Sequence, residues 1–299
     1  MKIAMCLVGH MNTFHRKRVH QPILKIIKNL NADVYVCTST MMTSPQKLKH
    51  SEASKRGLKK VYIPQRQGCT TGAAAMTRMR NPHHYGWGLQ IKSNLVTTYL
   101  NQKLGDTLKG IEILDQNIET INKNLPPHLW EYQRQAELLK FKKCFNMIEV
   151  AEAAKGVKYD AIIKCRLDVC LQNSRQSDVI NKFLENILEK KDKCVVNLGG
   201  WSCPKSYNLR AFFYGFCYGD RSSMSKLANV IEIEDVQTYA NRIASLGATV
   251  CQGAYLEPIV SHYLGTNDIK IEYEVNSKEK RSRKYAIVRD LPSADYFKT

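Results

Sequence analysis

The sequence predicts an α/β fold, a mostly parallel central sheet flanked by helices. Three observations carry that expectation. Ile3–Val8 is a continuous apolar run that stops at Gly9, the pattern of a strand covered on both faces. Helically spaced apolar residues over 20–30 and a second run, Asp33–Cys37, follow at once. Strand, helix and strand at this spacing make a βαβ unit, hence parallel pairing. The same alternation then recurs along the chain, and 299 residues of which 43% are hydrophobic suffice to bury a full core.

The elements follow in order. The first helix carries Pro22 in its first turn, where a missing N–H is tolerated. From Thr38 to Trp87, Pro, Gly, Thr and basic residues predominate, which predicts long loops with one short strand at 60–63. A helix is expected over 90–100, a short strand over 111–114 and a turn at Pro126-Pro127. The long helix expected over 130–155 places Leu138, Phe141, Phe145, Ile148 and Ala151 on one face, and Gly156 stops it. Strand 159–165 runs into Arg166-Leu167-Asp168. Ser177 is read as the cap of the next helix, and strand 194–198 precedes Gly199-Gly200-Trp201. The aromatic run 211–218 is expected to turn at Gly219-Asp220. Helices over 222–230, 235–245 and 252–264, an edge strand over 269–275 and a final strand over 285–288 complete the pattern.

Charge is unevenly spread. Lys and Arg number 45 against 27 Asp and Glu, a net of +18. Residues 1–110 hold 18 basic and 3 acidic residues, net +15; residues 111–299 hold 27 and 24, net +3. The N-terminal third therefore attracts anions: nucleotide phosphates, nucleic acid or an anionic membrane surface. Its basic residues cluster between Pro45 and Arg80, which equally describes a solvated loop. Ten cysteines show no Cys-x-x-Cys spacing, so a zinc ribbon has no support. Free buried thiols in a reducing compartment are the expectation. No apolar run of about 18 residues occurs, and the first residues read as a strand and not a signal peptide. A soluble, cytoplasmic protein is expected.

Several motifs are missing. The chain has no P-loop, no Gly-x-Gly-x-x-Gly after a strand, no His-Glu-x-x-His and no Gly-x-Ser-x-Gly. Kinase, dehydrogenase, zinc protease and serine hydrolase readings lose their main support. What remains is Asp168, just beyond a strand read as apolar. Ligands of open parallel sheets bind beyond the carboxyl ends of the strands. A carboxylate there can hold a hard divalent cation carrying a diphosphate, with Arg166 meeting a phosphate. The alternative is an Arg–Asp pair that closes the strand end.

The segment Tyr159–Val169 resembles the YDxVIRxRxD segment of GT-A-type, nucleotide-sugar-dependent glycosyltransferases found in large DNA viruses, algae and bacteria. Lys2–Phe14 resembles their first strand and nucleotide-binding turn, Phe212–Asp220 with Met224 a later glycine segment, and Glu257 a Pro-Glu position. The likeness runs as an ordered series over roughly residues 1–275. Three departures stand out: Asn12 replaces an Arg, Arg166-Leu167-Asp168 replaces Asp-x-Asp, and Ala211 stands where an Asp is common.

The resemblance implies one GT-A-like (Rossmann-type) domain over 1–299, with 1–170 holding the nucleotide sugar and 171–299 the acceptor. It implies transfer of a hexosyl or pentosyl group from a nucleotide-diphosphate sugar to a glycan or other hydroxyl acceptor, in a host cytoplasm if viral. Asp168 would hold Mn2+ or Mg2+; Arg166, Gly9, His10 and Thr13 would meet the donor; Glu257 or Asp220 would take the acceptor's proton; Trp201 would stack on a sugar or pack in the core. Rival readings are a basic protein that binds or modifies nucleic acid, a nucleotidyltransferase, and an inactive binding module. A weak hold on anionic membranes is a further expectation.

Overall fold

Strand β1 (Ile3–Val8) has every residue buried and sits inside a seven-stranded sheet. In the computed structural model the described residues are 1–11, 14–42, 59–62, 87–90, 92–114, 135–171, 176–190, 193–197, 201–202, 210–211, 215–232, 260, 263–273 and 285–287. Besides β1 the large sheet contains β2 (Asp33–Ser39), β6 (Leu108–Leu114), β7 (Ala161–Arg166), β9 (Cys194–Asn197), β12 (Phe216–Asp220) and β13 (Lys270–Tyr273). The order across it is β13-β9-β12-β7-β1-β2-β6. β1 pairs in parallel with β2 and β7, β2 with β6, and β13 with β9. β12 alone is antiparallel to its neighbours. The predicted α/β, mostly parallel arrangement is what is found.

Alternation along β1 builds two cores. Ile3, Met5 and Leu7 enter one, with Val19, Ile23, Ile26 and Ile27 of α1 (Lys17–Asn29), Val96 and Leu100 of α2 (Ser93–Leu104) and Ile180 and Leu184 of α4 (Gln176–Lys190). Ala4, Cys6 and Val8 enter the other, under Leu138, Phe141, Phe145 and Ile148 of α3 (Gln135–Lys155) and Met224 and Leu227 of α5 (Arg221–Asn229). Each Val, Leu, Ile, Phe or Met among them contributes about 1.5–3 kcal/mol on burial. A one-residue slip of β1 would exchange its two faces, so the register is strongly specified.

Boundaries differ from expectation for physical reasons. α1 begins at Lys17, so Pro22 lies in its second turn and has no N–H to give the Arg18 carbonyl. Gln176 already belongs to α4, so Ser177 is inside the helix and not its cap. Gly156 does stop α3, at φ +65°. The run 211–218 divides into β11 (Arg210–Ala211), paired with β10 (Trp201–Ser202), and β12. Gly219 and Asp220 form no turn; they end β12. Gly219 is required there because a Cβ would run into the Cys194 carbonyl. Three short strands, β3 (Met41–Met42), β4 (Lys59–Tyr62) and β5 (Trp87–Gln90), form a small sheet. β8 (Val169–Leu171) pairs with β14 (Tyr285–Ile287). The helices expected over 235–245 and most of 252–264 lie outside the described residues. Cys6, Cys37, Cys144, Cys165, Cys194 and Cys217 are buried free thiols. Among the described residues no helix is long and apolar enough to cross a membrane.

Candidate functional site

The chain leaves β1 toward β2 and β6 on one side, then returns to β7 on the other. The order of strands therefore reverses between β1 and β7. Crevices open beyond the carboxyl ends of strands at such switch points. Gly9 and His10 follow β1, and Leu167 and Asp168 follow β7, so the topology brings the two segments together. The ladder holds them in register: Val8 lies opposite Arg166, and the Leu167 N–H donates to the Val8 carbonyl at 2.9 Å. On its other side, the Arg166 N–H donates to the Gly215 carbonyl at 2.8 Å.

Gly9 has φ +108°, a backbone conformation that side chains oppose, and it lets the chain turn sharply out of β1. The Thr38 hydroxyl donates to the Gly9 carbonyl at 2.8 Å, and Ser39 Oγ lies 2.9 Å from His10 Nδ1. Thr38 and Ser39 are fully buried at the end of β2. Sequence reasoning missed them; the signal was a Thr-Ser-Thr run directly after an apolar strand.

Beside this turn lies a buried ionic cluster. Arg166 Nε and Nη2 donate to the two Asp168 oxygens at 2.8 and 2.7 Å, a two-point pair. Arg166 Nη1 donates to Glu137 Oε2 at 2.9 Å, and Lys164 Nζ to Glu137 Oε1 at 2.6 Å. Lys164 and Arg166 alternate with the core residues of β7 and so both face α3, whose first turn carries Glu137. Lys140, one turn on, is buried with them. Burial would raise the Glu137 carboxyl, but Lys164 and Arg166 outweigh it and hold it below the usual carboxylate range. Burial also works against charge on Arg166, yet Glu137 and Asp168 raise its hold on the proton. Burial lowers the Lys140 ammonium from 10.5 to about 8. Glu137, Lys140 and Lys164 were not singled out from sequence. A lysine inside an apolar strand, and Glu and Lys three apart on the packed face of a helix, were the available signs.

Of the expected site residues, Gly9, His10, Arg166 and Asp168 come together. Asp220 does not. β12 runs antiparallel, so its last residue lies opposite Ala161, five residues from Arg166 along β7 and roughly 16 Å away at 3.3 Å per residue. There its carboxylate accepts from the Ser223 and Cys194 N–H groups at 2.9 and 3.1 Å, capping α5 and tying it to β9. Thr13 and Glu257 lie outside the described residues. Trp201 belongs to β10.

A divalent cation needs several oxygen ligands. Both Asp168 oxygens are taken by Arg166, and among the described residues no three of His, Cys, Asp and Glu gather as a ligand set. The described residues do not fit a resident cation as they stand. The Arg–Asp pair considered from sequence as a strand closure is the arrangement seen.

No family model and no curated protein matches the chain. Solved structures similar to it include the galactosyltransferase LgtC with donor and acceptor sugar analogs, at TM-score 0.40 and 8% identity over 91% of this chain and 73% of that one. Mouse xyloside xylosyltransferase 1 is similar at TM-score 0.38 and 10% identity, over 90% and 83%. A nucleoside-diphosphate-sugar pyrophosphorylase from Vibrio cholerae is similar at 0.34 and 9%, over 99% and 100%. Matches at this level carry no argument about what this chain does.

Proposed function

We propose that the chain is a glycosyltransferase that uses a nucleotide-diphosphate sugar, with its donor at the carboxyl ends of β1 and β7. One observation carries this reading: a glycine turn with His10 and a charge-paired arginine, Arg166, meet at the switch point of the sheet. Such a switch point offers a backbone turn for a nucleotide and a fixed cation for its phosphates. In the reaction the bond from the sugar's anomeric carbon to the diphosphate oxygen breaks, and the electron pair leaves with the diphosphate. A new bond forms to the acceptor hydroxyl oxygen, whose proton passes to a base. Stabilising the departing charge is the main task of the protein, and in this reading Arg166 does it. Gly9 and His10 meet the nucleoside. Glu257 and Thr13 keep the roles implied by resemblance, as acceptor base and donor contact. In this reading the acceptor, a glycan or other hydroxyl compound, is held by residues 171–299.

The test is to incubate the protein with UDP-, GDP- and dTDP-linked sugars and separate the products chromatographically. Slow release of a nucleoside diphosphate, abolished in Arg166→Met, supports glycosyl transfer to water or acceptor. Release of pyrophosphate from a nucleoside triphosphate and a sugar phosphate would replace this reading with nucleotidyl transfer. No turnover, together with salt-sensitive binding to random DNA, would favour the nucleic-acid reading.

A further inference from the structure

The cluster around Arg166 is built the wrong way round for a metal site and the right way round for an anion site. Asp168 is 1% exposed and both its oxygens are engaged, whereas the Arg166 side chain is 19% exposed. The pair thus presents its cation outward and hides its carboxylate. Five N–H donors belong to a guanidinium. Asp168 takes one each from Nε and Nη2, and Glu137 takes one from Nη1. One donor on each terminal nitrogen remains, enough for a two-point contact with a phosphate.

We propose that Arg166, not a divalent cation, carries the positive charge that faces the donor's diphosphate, with Asp168 and Glu137 as the positioning residues that hold its guanidinium. This rests on the donor-site reading above. The two carboxylates come from different elements, the turn after β7 and the first turn of α3, so the guanidinium is fixed from two sides. A cation fixed before the ligand arrives needs no reorganisation when charge develops. Lys164 offsets one carboxylate at 2.6 Å, and with Lys140 the described cluster holds three basic groups, Lys140, Lys164 and Arg166, against Glu137 and Asp168. A metal on Asp168 would have to break the two-point pair and would face the displaced Arg166 as a like charge.

Calorimetric titration with UDP, GDP and inorganic pyrophosphate, in EDTA and again with manganese, tests this. The expected result is that one nucleoside diphosphate binds wild type equally well, within about twofold, in both conditions. Arg166→Lys weakens it by about tenfold or more, because an ammonium lacks the planar fork. Asp168→Asn and Glu137→Gln weaken it by the same factor with and without manganese, which a lost metal ligand would not do. Binding that appears only with manganese and is lost in Asp168→Asn overturns the proposal and leaves the donor-site reading standing. Pyrophosphate binding in EDTA, sensitive to Arg166→Lys but with no nucleotide bound, supports the Arg166 anion site and overturns the donor reading. No binding by any probe to folded wild type overturns both. If a variant fails to fold by circular dichroism, wild-type binding that appears only with manganese still overturns the proposal.

Discussion

Replacing Lys140 by Met should make this protein more stable. The Lys140 side chain is 1% exposed, and burial lowers its ammonium from 10.5 to about 8, with Cys37 and Glu137 partly opposing. At about 1.4 kcal/mol per pH unit, the charged form costs the fold about 3 kcal/mol at neutral pH. Met is similar in length and carries no charge, so Lys140→Met should raise the unfolding free energy by up to that amount. The sign with pH follows from linkage. Between pH 8 and 10.5 the unfolded chain binds the proton that the folded one has released, so wild-type stability rises with pH across that window. The advantage of the variant should accordingly shrink to about 1.4 kcal/mol at pH 9.5. Urea unfolding of both proteins at pH 7 and pH 9.5 measures this. A variant no more stable than wild type at pH 7, or a gain that is the same at both pH values, would refute the reasoning. Lys140 is one of three basic groups in the cluster, so the same variant should also bind anions more weakly.

Three further predictions follow from other parts of the fold. Gly219→Ala should destabilise by about 1–3 kcal/mol in urea unfolding, since the new methyl meets the Cys194 carbonyl of β9; an unchanged midpoint would contradict that close approach. Gly9→Ala forces a side chain onto φ +108°, costing of order 1–3 kcal/mol; the chain exit from β1 should shift and nucleotide affinity should fall, read by calorimetry. Glu152 binds Arg221 at two points and the Tyr159 N–H at 2.9 Å, at the amino end of the sheet. Arg221 is partly exposed and keeps Glu149 as a second partner, so Glu152→Ala should cost about 1–3 kcal/mol and leave nucleoside-diphosphate affinity unchanged. Burial raises the Glu152 carboxyl, but Arg221 and the Tyr159 amide hold it below its ordinary value. Its contribution is therefore complete above pH ~5 and is lost as pH falls through the folded value; a wild-type acid limb as flat as that of Glu152→Gln would contradict this.

Much of this architecture is legible in the residues, and its gaps have physical causes. β1 shows its full length as an uninterrupted apolar run because both its faces are covered. The βαβ unit to β2 follows from spacing. The direction of β12 leaves no mark in composition, and direction alone decides that Asp220 caps a helix at the amino end instead of joining the site. β8 and β14 pair residues more than a hundred positions apart, Leu171 with Tyr285, beyond the reach of any local pattern. Asp168 could be singled out because it stands just beyond a strand read as apolar, with Arg166 beside it at the end of that strand. Their mutual pairing, and the part played by Glu137, depend on how α3 lies across β7, which periodicity does not report. Lys164 was overlooked because one polar residue does not break an apolar run, yet a fully buried lysine must have a carboxylate near it.

The most direct measurement is a thermal-shift panel of UDP-, GDP-, CMP- and dTDP-linked sugars on wild type and Arg166→Met. A ligand that binds only the folded state raises the melting temperature; at about 100 times its Kd it adds about 2.7 kcal/mol. The account predicts a shift of several degrees with one nucleotide class, present in wild type and absent in folded Arg166→Met. A flat panel with both proteins folded, or a shift that Arg166→Met retains in full, would contradict a donor site at the carboxyl ends of β1 and β7.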